Sequence, residues 1–237
     1  MNEKMKGIVT VFVDIDDTLW WFTENSKLAL RHTFDAFDIS SVCTYERFKE
    51  VYLKKNLELW NLYHHGLIDK DFLVNERFRF TLKECGHKGD VEKMCHLLDE
   101  EYLRFLALQS TTIPGARQLL EYLVAKGYDV NTLSNGFQGT QQQKLISGGL
   151  SDLIHRNVLS DDCGITKPQR GIFDYALEQC GAEAATSVMI GDNPDADIKG
   201  AHDAGWRTIY FNIRGLDPIE GTADAVVTSL DEILQIL

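Results

Sequence analysis

The chain has 237 residues, 44% of them apolar and 25% charged, enough to bury an ordinary core as one large domain or two modest ones. Its N-terminus, MNEKMKG, passes into a strand-like run without a signal-peptide pattern, and no run approaches the ~20 apolar residues that span a bilayer, so a cytoplasmic protein with no membrane partner is expected. A net charge of −12 without a Lys/Arg cluster repels nucleic-acid polymers, and it obliges any phosphate site to supply local positive charge from a metal, a lysine and backbone N–H groups.

In chain order, residues 8–13 (IVTVFV) form a β-branched run that ends at Asp14. Residues 22–109 contain no convincing strand. They show helical spacing instead, at Phe48, Val51, Tyr52, Leu59 and Leu62 and again at Val91, Met94, Leu98, Tyr102 and Phe105, punctuated by Gly66 and Gly86. Thr111 to Gly115 reads as a linker. Strand-like runs then recur at Tyr128–Leu133, Ser187–Ile190, Thr208–Phe211 and Ala225–Val227. Between them lie helical stretches: Gly115–Lys126 closed by Gly127, Gln138–Ser147 closed by Gly148 and Gly149, Gln169–Cys180 closed by Gly181, and Asp195–Ala204 closed by Gly205. This alternation predicts a doubly wound α/β core with a parallel, Rossmann-like sheet, built from residues 1–21 and 110–237, and a helical cap domain over 22–109. An insert directly after the first strand lies over the crevice at the strand ends, where a lid would sit.

The five cysteines form no C-x-x-C pair and read as reduced thiols rather than a zinc or disulfide framework. Chemistry gathers at the strand ends. The first strand runs into Asp14-Ile15-Asp16-Asp17-Thr18, a crowding of carboxylates that a divalent cation would relieve; the competing reading makes Asp17 or Thr18 a helix cap. Ser134 ends the second run beside Asn135-Gly136, either a phosphoryl-binding hydroxyl or a turn. Lys167 precedes a helix, either neutralising a phosphate or solvated. Gly191 and Asp192 end a further strand and lead to Asp197, either an oxygen-rich cation site or an acidic helix cap with Asp195 in that role. Each signal alone is weak. Placed at or just beyond strand ends, which share one edge of a parallel sheet, the four signals together converge on one site.

These motifs, Asp14-x-Asp16-x-Thr18, Ser134, Lys167 and Gly191-Asp192-x-x-x-x-Asp197, resemble those of the haloacid dehalogenase superfamily in its subgroup with a helical cap after the first motif. The resemblance covers the whole chain. It implies a magnesium-dependent phosphatase acting on a small phosphorylated metabolite. Asp14 would attack phosphorus and Asp16 would serve as general acid, then base. Ser134, the Asn135 amide and Lys167 would hold the phosphoryl group, and Mg2+ would be bound by Asp14, the Asp16 carbonyl and Asp192, with Asp197 nearby. The chemistry is self-consistent, because an aspartyl-phosphate divides hydrolysis into two steps while metal and lysine neutralise the equatorial oxygens.

A narrower similarity, to YjjG-type pyrimidine 5′-nucleotidases, rests on Asp16 to Leu19, on Asn135-Gly136-Phe137 with Gln141-Gln142, and on Ile172 to Gln179; it implies a nucleoside 5′-monophosphate substrate. Trp20, Trp21 and Phe137 are candidates to stack on a base, with core packing as the rival reading and the favoured one for the tryptophans. His64-His65 reads as a helix end, since adjacent side chains on a helix diverge. The rival functions are a sugar-phosphate or phosphoglycolate phosphatase, a phosphomutase, and a non-enzymatic receiver-like phospho-acceptor or silent binding module. A dehalogenase has no use for Asp16 as a leaving-group acid.

Overall fold

The runs at Thr10–Val13 and Ser187–Gly191 are strands buried on both faces, which is why they read as nearly continuous apolar stretches rather than alternating ones. The structure, a computed structural model, describes residues 4–237. The chain divides into two compact units, Met1–Phe22 with Ser110–Leu237, and Thr23–Gln109. In the first unit, β1 (Thr10–Val13), β2 (Asp129–Ser134), β3 (Arg156–Leu159), β4 (Ser187–Gly191), β5 (Arg207–Phe211) and β6 (Ala225–Val227) form one sheet in the order β3-β2-β1-β4-β5-β6. Every neighbouring pair is parallel. This is the expected doubly wound class.

One strand is absent from the sequence reading. In β3 only Val158 and Leu159 are buried, while Arg156 is exposed at the sheet edge, so the apolar run is too short to register.

The second unit is helical: α1 (Phe22–Ala36), α2 (Tyr45–His64), α3 (Lys70–Glu84) and α4 (Val91–Ala107). Thr44, Asp69 and Asp90 cap the last three by accepting from the backbone N–H of Arg47, Phe72 and Lys93. At the end of α2, His65 Nδ1 lies 2.8 Å from the Asn61 carbonyl, an ordinary helix end. No helix among the described residues is long and apolar enough to cross a membrane.

The core of this unit joins Phe48, Tyr52, Phe78 and Tyr102 to a buried ion pair, Arg77 Nε to Asp99 Oδ1 at 2.6 Å. Removing one partner leaves the other charge buried and uncompensated. Asp99→Ala is therefore expected to destabilise the chain by about 3–5 kcal/mol, read from urea denaturation followed by far-UV circular dichroism. A loss below about 1 kcal/mol, the scale of a solvated surface pair, would contradict this.

The helices of the α/β unit are α5 (Ala116–Ala125), α6 (Gln138–Ser147), the single turn α7 (Ser160–Cys163), α8 (Arg170–Cys180) and α9 (Gly200–Asp203). The expected continuous helix over Asp195–Ala204 is instead a π-helical segment, Pro194–Lys199, followed by α9. Asn193, not Asp195, caps it, its Oδ1 accepting from the N–H groups of Asp195 and Ala196. Phe12, Leu133 and Met189 project from the sheet onto Ile172, Phe173 and Ala176 of α8 and onto Trp206, whose ring centroid lies 4.6 Å from that of Phe12. Gly200 makes this approach possible, because a Cβ there would lie 2.8 Å from the Phe173 ring and 2.9 Å from the Pro168 Cα.

The order of the sheet reverses between β1 and β4. That switch point is where an open α/β sheet forms its ligand crevice, outside the carboxyl ends of the strands. Asp14 follows β1 there, and Asp192 follows β4.

Candidate active site

Asp14 is 7% exposed, and its backbone N–H donates to the Ile190 carbonyl, which ties the end of β1 to β4. Lys167, almost fully buried, donates from Nζ to Asp14 Oδ1 at 2.7 Å, to Asp197 Oδ1 at 2.6 Å and to the Leu133 carbonyl at 2.7 Å. All three ammonium hydrogens are used, so the positive charge has a set direction. The loop that carries it is anchored by the Asn135 side chain, whose Oδ1 accepts from Lys167 N (2.8 Å) and whose Nδ2 donates to Lys167 O (2.9 Å). Asn135 thus contributes its side chain as a brace between two motifs.

Asp197 is also buried, with Oδ2 accepting from Asn193 N at 3.0 Å. Gly191 makes room for it: a Cβ at that position would lie 2.3 Å from Asp197 Oδ2. Asp192 Oδ2 makes no hydrogen bond and has the Arg214 guanidinium 2.6 Å away as its counter-charge. Arg214 also reaches Asp17 Oδ2 at 3.2 Å. Asp17 adopts a left-handed backbone, φ 58°, which aspartate tolerates in a tight turn, and Thr18 is fully buried.

The electrostatics follow from burial. Desolvation raises the Asp14 carboxyl to about 7, against the pull of Lys167 and with further push from Asp197 and Asp16. Asp192 is raised well above the usual carboxylate range by burial, despite Arg214. Burial opposes the charge on Lys167, yet Asp14 and Asp197 hold its ammonium above the ordinary lysine value. Asp14, Asp192 and Asp197 each offer one carboxylate oxygen, all within 4.8 Å of one another. A buried trio of hard oxygen donors suits a divalent cation such as Mg2+ or Ca2+ rather than a thiolate-seeking metal.

Asp16 turns away from this trio. Its Oδ1 accepts from Lys144 Nζ at 2.7 Å and its Oδ2 from Gln141 Nε2 at 2.9 Å. Gln141 Nε2 also donates to Ser134 Oγ at 2.6 Å. Trp20 is fully buried, with Lys144 Nζ 4.8 Å from its ring centroid, and Phe137 is 8% exposed. Burial of both side chains favours core packing, the reading already preferred for the tryptophans, over stacking on a base. Trp21 is half-buried, its backbone N–H donating to the Thr111 carbonyl.

Three residues around the site escaped the sequence reading as participants. Lys144 sits on a helix that looked ordinary, Gln141 entered only as a likeness, and Arg214 lies just beyond β5. The last had a usable signal, because β5 ends at the same sheet edge as the four motifs.

A buried carboxylate at a strand switch point, paired with a lysine and flanked by two further acids, supplies the groups that an aspartate-nucleophile hydrolase requires. The chain belongs to the haloacid dehalogenase-like hydrolase family, whose model matches residues 8–205. It is 34% identical to pyrimidine 5′-nucleotidase YjjG of Escherichia coli (strain K12) over 229 residues, 96% of each chain. It is 30% identical over 205 residues to pyrimidine 5′-nucleotidase PynA of Streptococcus pneumoniae (strain ATCC BAA-255 / R6), covering 86% of this chain and 84% of that one. Among solved structures, YfnB of Bacillus subtilis bound to magnesium superposes with a TM-score of 0.87 at 31% identity, over 98% of this chain and 99% of that one.

Proposed function

We propose that the protein is a magnesium-dependent phosphatase of small phosphate monoesters, with nucleoside 5′-monophosphates, pyrimidine ones first, as its preferred substrates. The observation that carries the reaction is the buried Asp14–Lys167–Asp197 arrangement beside Asp192 at the switch point. The substrate class is supported by the two pyrimidine 5′-nucleotidase relatives.

In this reading Asp14 attacks phosphorus through the oxygen that Lys167 does not hold, and the phosphoryl group passes to it as the alcohol leaves. Lys167, fixed by three acceptors, faces charge on the equatorial oxygens without reorganising. Ser134 donates to the same group. Asp16 protonates the leaving alkoxide and then takes a proton from the water that opens the aspartyl-phosphate. Asp14 and Asp192 would hold the metal by their carboxylates and Asp16 by its carbonyl. Both oxygens of Asp197 already accept from Lys167 and Asn193, which favours contact through water. When bound, the cation neutralises the acidic cluster and draws charge from the transferring group. The helical unit is read as the cap that selects the alcohol.

Phosphate release measured at saturating magnesium tests this. Pyrimidine nucleoside 5′-monophosphates are expected to exceed hexose phosphates and phosphoglycolate in kcat/KM by about tenfold or more, the scale of one buried base contact. A hexose phosphate or phosphoglycolate winning by that margin would refute the nucleotide preference and leave the phosphatase reading standing.

A further inference from the structure

Helix α6 places two polar side chains on its buried face at i and i+3: Gln141, fully buried, and Lys144, 3% exposed. A lysine is almost never so buried unless paired. Here the Lys144 ammonium is enclosed by Asp16 Oδ1 at 2.7 Å, the Trp20 ring at 4.8 Å and the Phe22 ring at 5.2 Å. The pair is buried on the lysine side only, the Asp16 side chain staying 29% exposed, so it offers little net stability to set against the desolvation of Lys144. What the pair does achieve is geometric. Lys144 holds one oxygen of Asp16 and Gln141 the other, so the plane and height of that carboxylate are set from both sides.

Gln141 acts on a second group at the same time. Its Nε2 donates to Ser134 Oγ, and the Gly136 N–H donates to that oxygen at 3.1 Å. With both acceptor positions of the hydroxyl filled, its hydrogen is left to be donated outward. The backbone makes room for this bridge: a Cβ on Gly136 would lie 2.3 Å from Gln141 Nε2 and 2.4 Å from its Cδ. We infer that Gln141 and Lys144 are positioning residues, one bridging Asp16 to Ser134 and the other fixing Asp16 from the opposite side, so that α6 aligns the proton-transfer carboxylate with the phosphoryl-binding hydroxyl. The inference rests on the phosphatase reading.

The experiment compares an alkyl ester, a pyrimidine nucleoside 5′-monophosphate, with p-nitrophenyl phosphate, whose leaving group departs without needing a proton. Wild type, Lys144→Met, Lys144→Arg, Gln141→Leu and Gly136→Ala are assayed at saturating magnesium, with melting curves alongside. In Lys144→Met, kcat/KM for the alkyl ester is expected to fall about 100-fold, the scale of a misplaced general acid, and for p-nitrophenyl phosphate less than about 5-fold. Lys144→Arg should recover to within about tenfold of wild type, because the charge is kept. Gln141→Leu and Gly136→Ala disturb Ser134 as well, so both esters slow, but the ratio of alkyl to nitrophenyl activity should still drop by about tenfold. Should Lys144→Met fail to fold, these two variants decide the matter. Equal losses on the two esters, or a raised KM for the alkyl ester at unchanged kcat, would overturn the positioning role while leaving the phosphatase intact. A wild type that hydrolyses neither ester would overturn the phosphatase reading itself.

Discussion

Asp14→Asn is expected to lower kcat by about 10⁴-fold or more, because it removes the nucleophile on which both chemical steps depend. The substitution keeps the size of the side chain, and the amide oxygen still accepts from Lys167, which reaches Asp14 Oδ1 at 2.7 Å in the native site. The change also relieves a cost, since Asp14 is a buried carboxylate pushed up to about 7 by desolvation and by the charges of Asp197 and Asp16. The fold should therefore survive. Steady-state phosphate release on a purified variant with a native circular dichroism spectrum checks this; residual turnover above roughly one percent of wild type would remove Asp14 from the nucleophile's role.

Removal of the metal is the second large effect. Chelation is expected to abolish turnover, and magnesium to restore it, because the clustered donors are carboxylates with no cysteine or histidine among them. Full activity in excess chelator would sink the scheme. Stability should report the same site: magnesium at about 100 times its Kd adds about 2.7 kcal/mol by mass action.

The pH dependence has a definite sign in the metal-free chain. Asp14 binds its proton more tightly folded, at about 7, than unfolded, at the ordinary 3.8, and Asp192 is shifted the same way. Stability from these groups is fully present below the unfolded value and is lost as pH rises through about 7. The chelated protein is thus expected to melt lower at about pH 8 than at about pH 5, and magnesium to narrow that gap by favouring the ionised carboxylates. A melting temperature that rises over this range in chelator would show that the buried acids are not the controlling groups.

Much of the fold was legible because burial on both faces leaves a plain mark. The runs Val11–Val13 and Val188–Ile190 are apolar throughout, and glycines with positive φ close α8 at Gly181 and α5 at Gly127. β3 lacked such a mark because one side of an edge strand faces solvent. The π-helical segment after Asn193 was illegible for another reason: its geometry serves to bring Asp197 beneath Gly191 and onto Lys167, a long-range contact that local propensity does not encode.

The same division holds at the site. By itself the sequence determined that Asp14, Ser134 and Asp192 stand at the ends of parallel strands, which deliver their carboxyl ends to one edge, whereas the strand that leads toward Lys167 emerged only in the structure. Only the tertiary structure decided that Lys144 and Gln141 point inward to Asp16, that Trp20 is closed off beneath Lys144, and that Arg214 returns to Asp17 and Asp192. The physical reason is that strand ends are placed by topology, which a pattern of apolar runs reveals. Which face of a helix turns inward, and where a long side chain finds its counter-charge, is set by packing against residues far away in the chain.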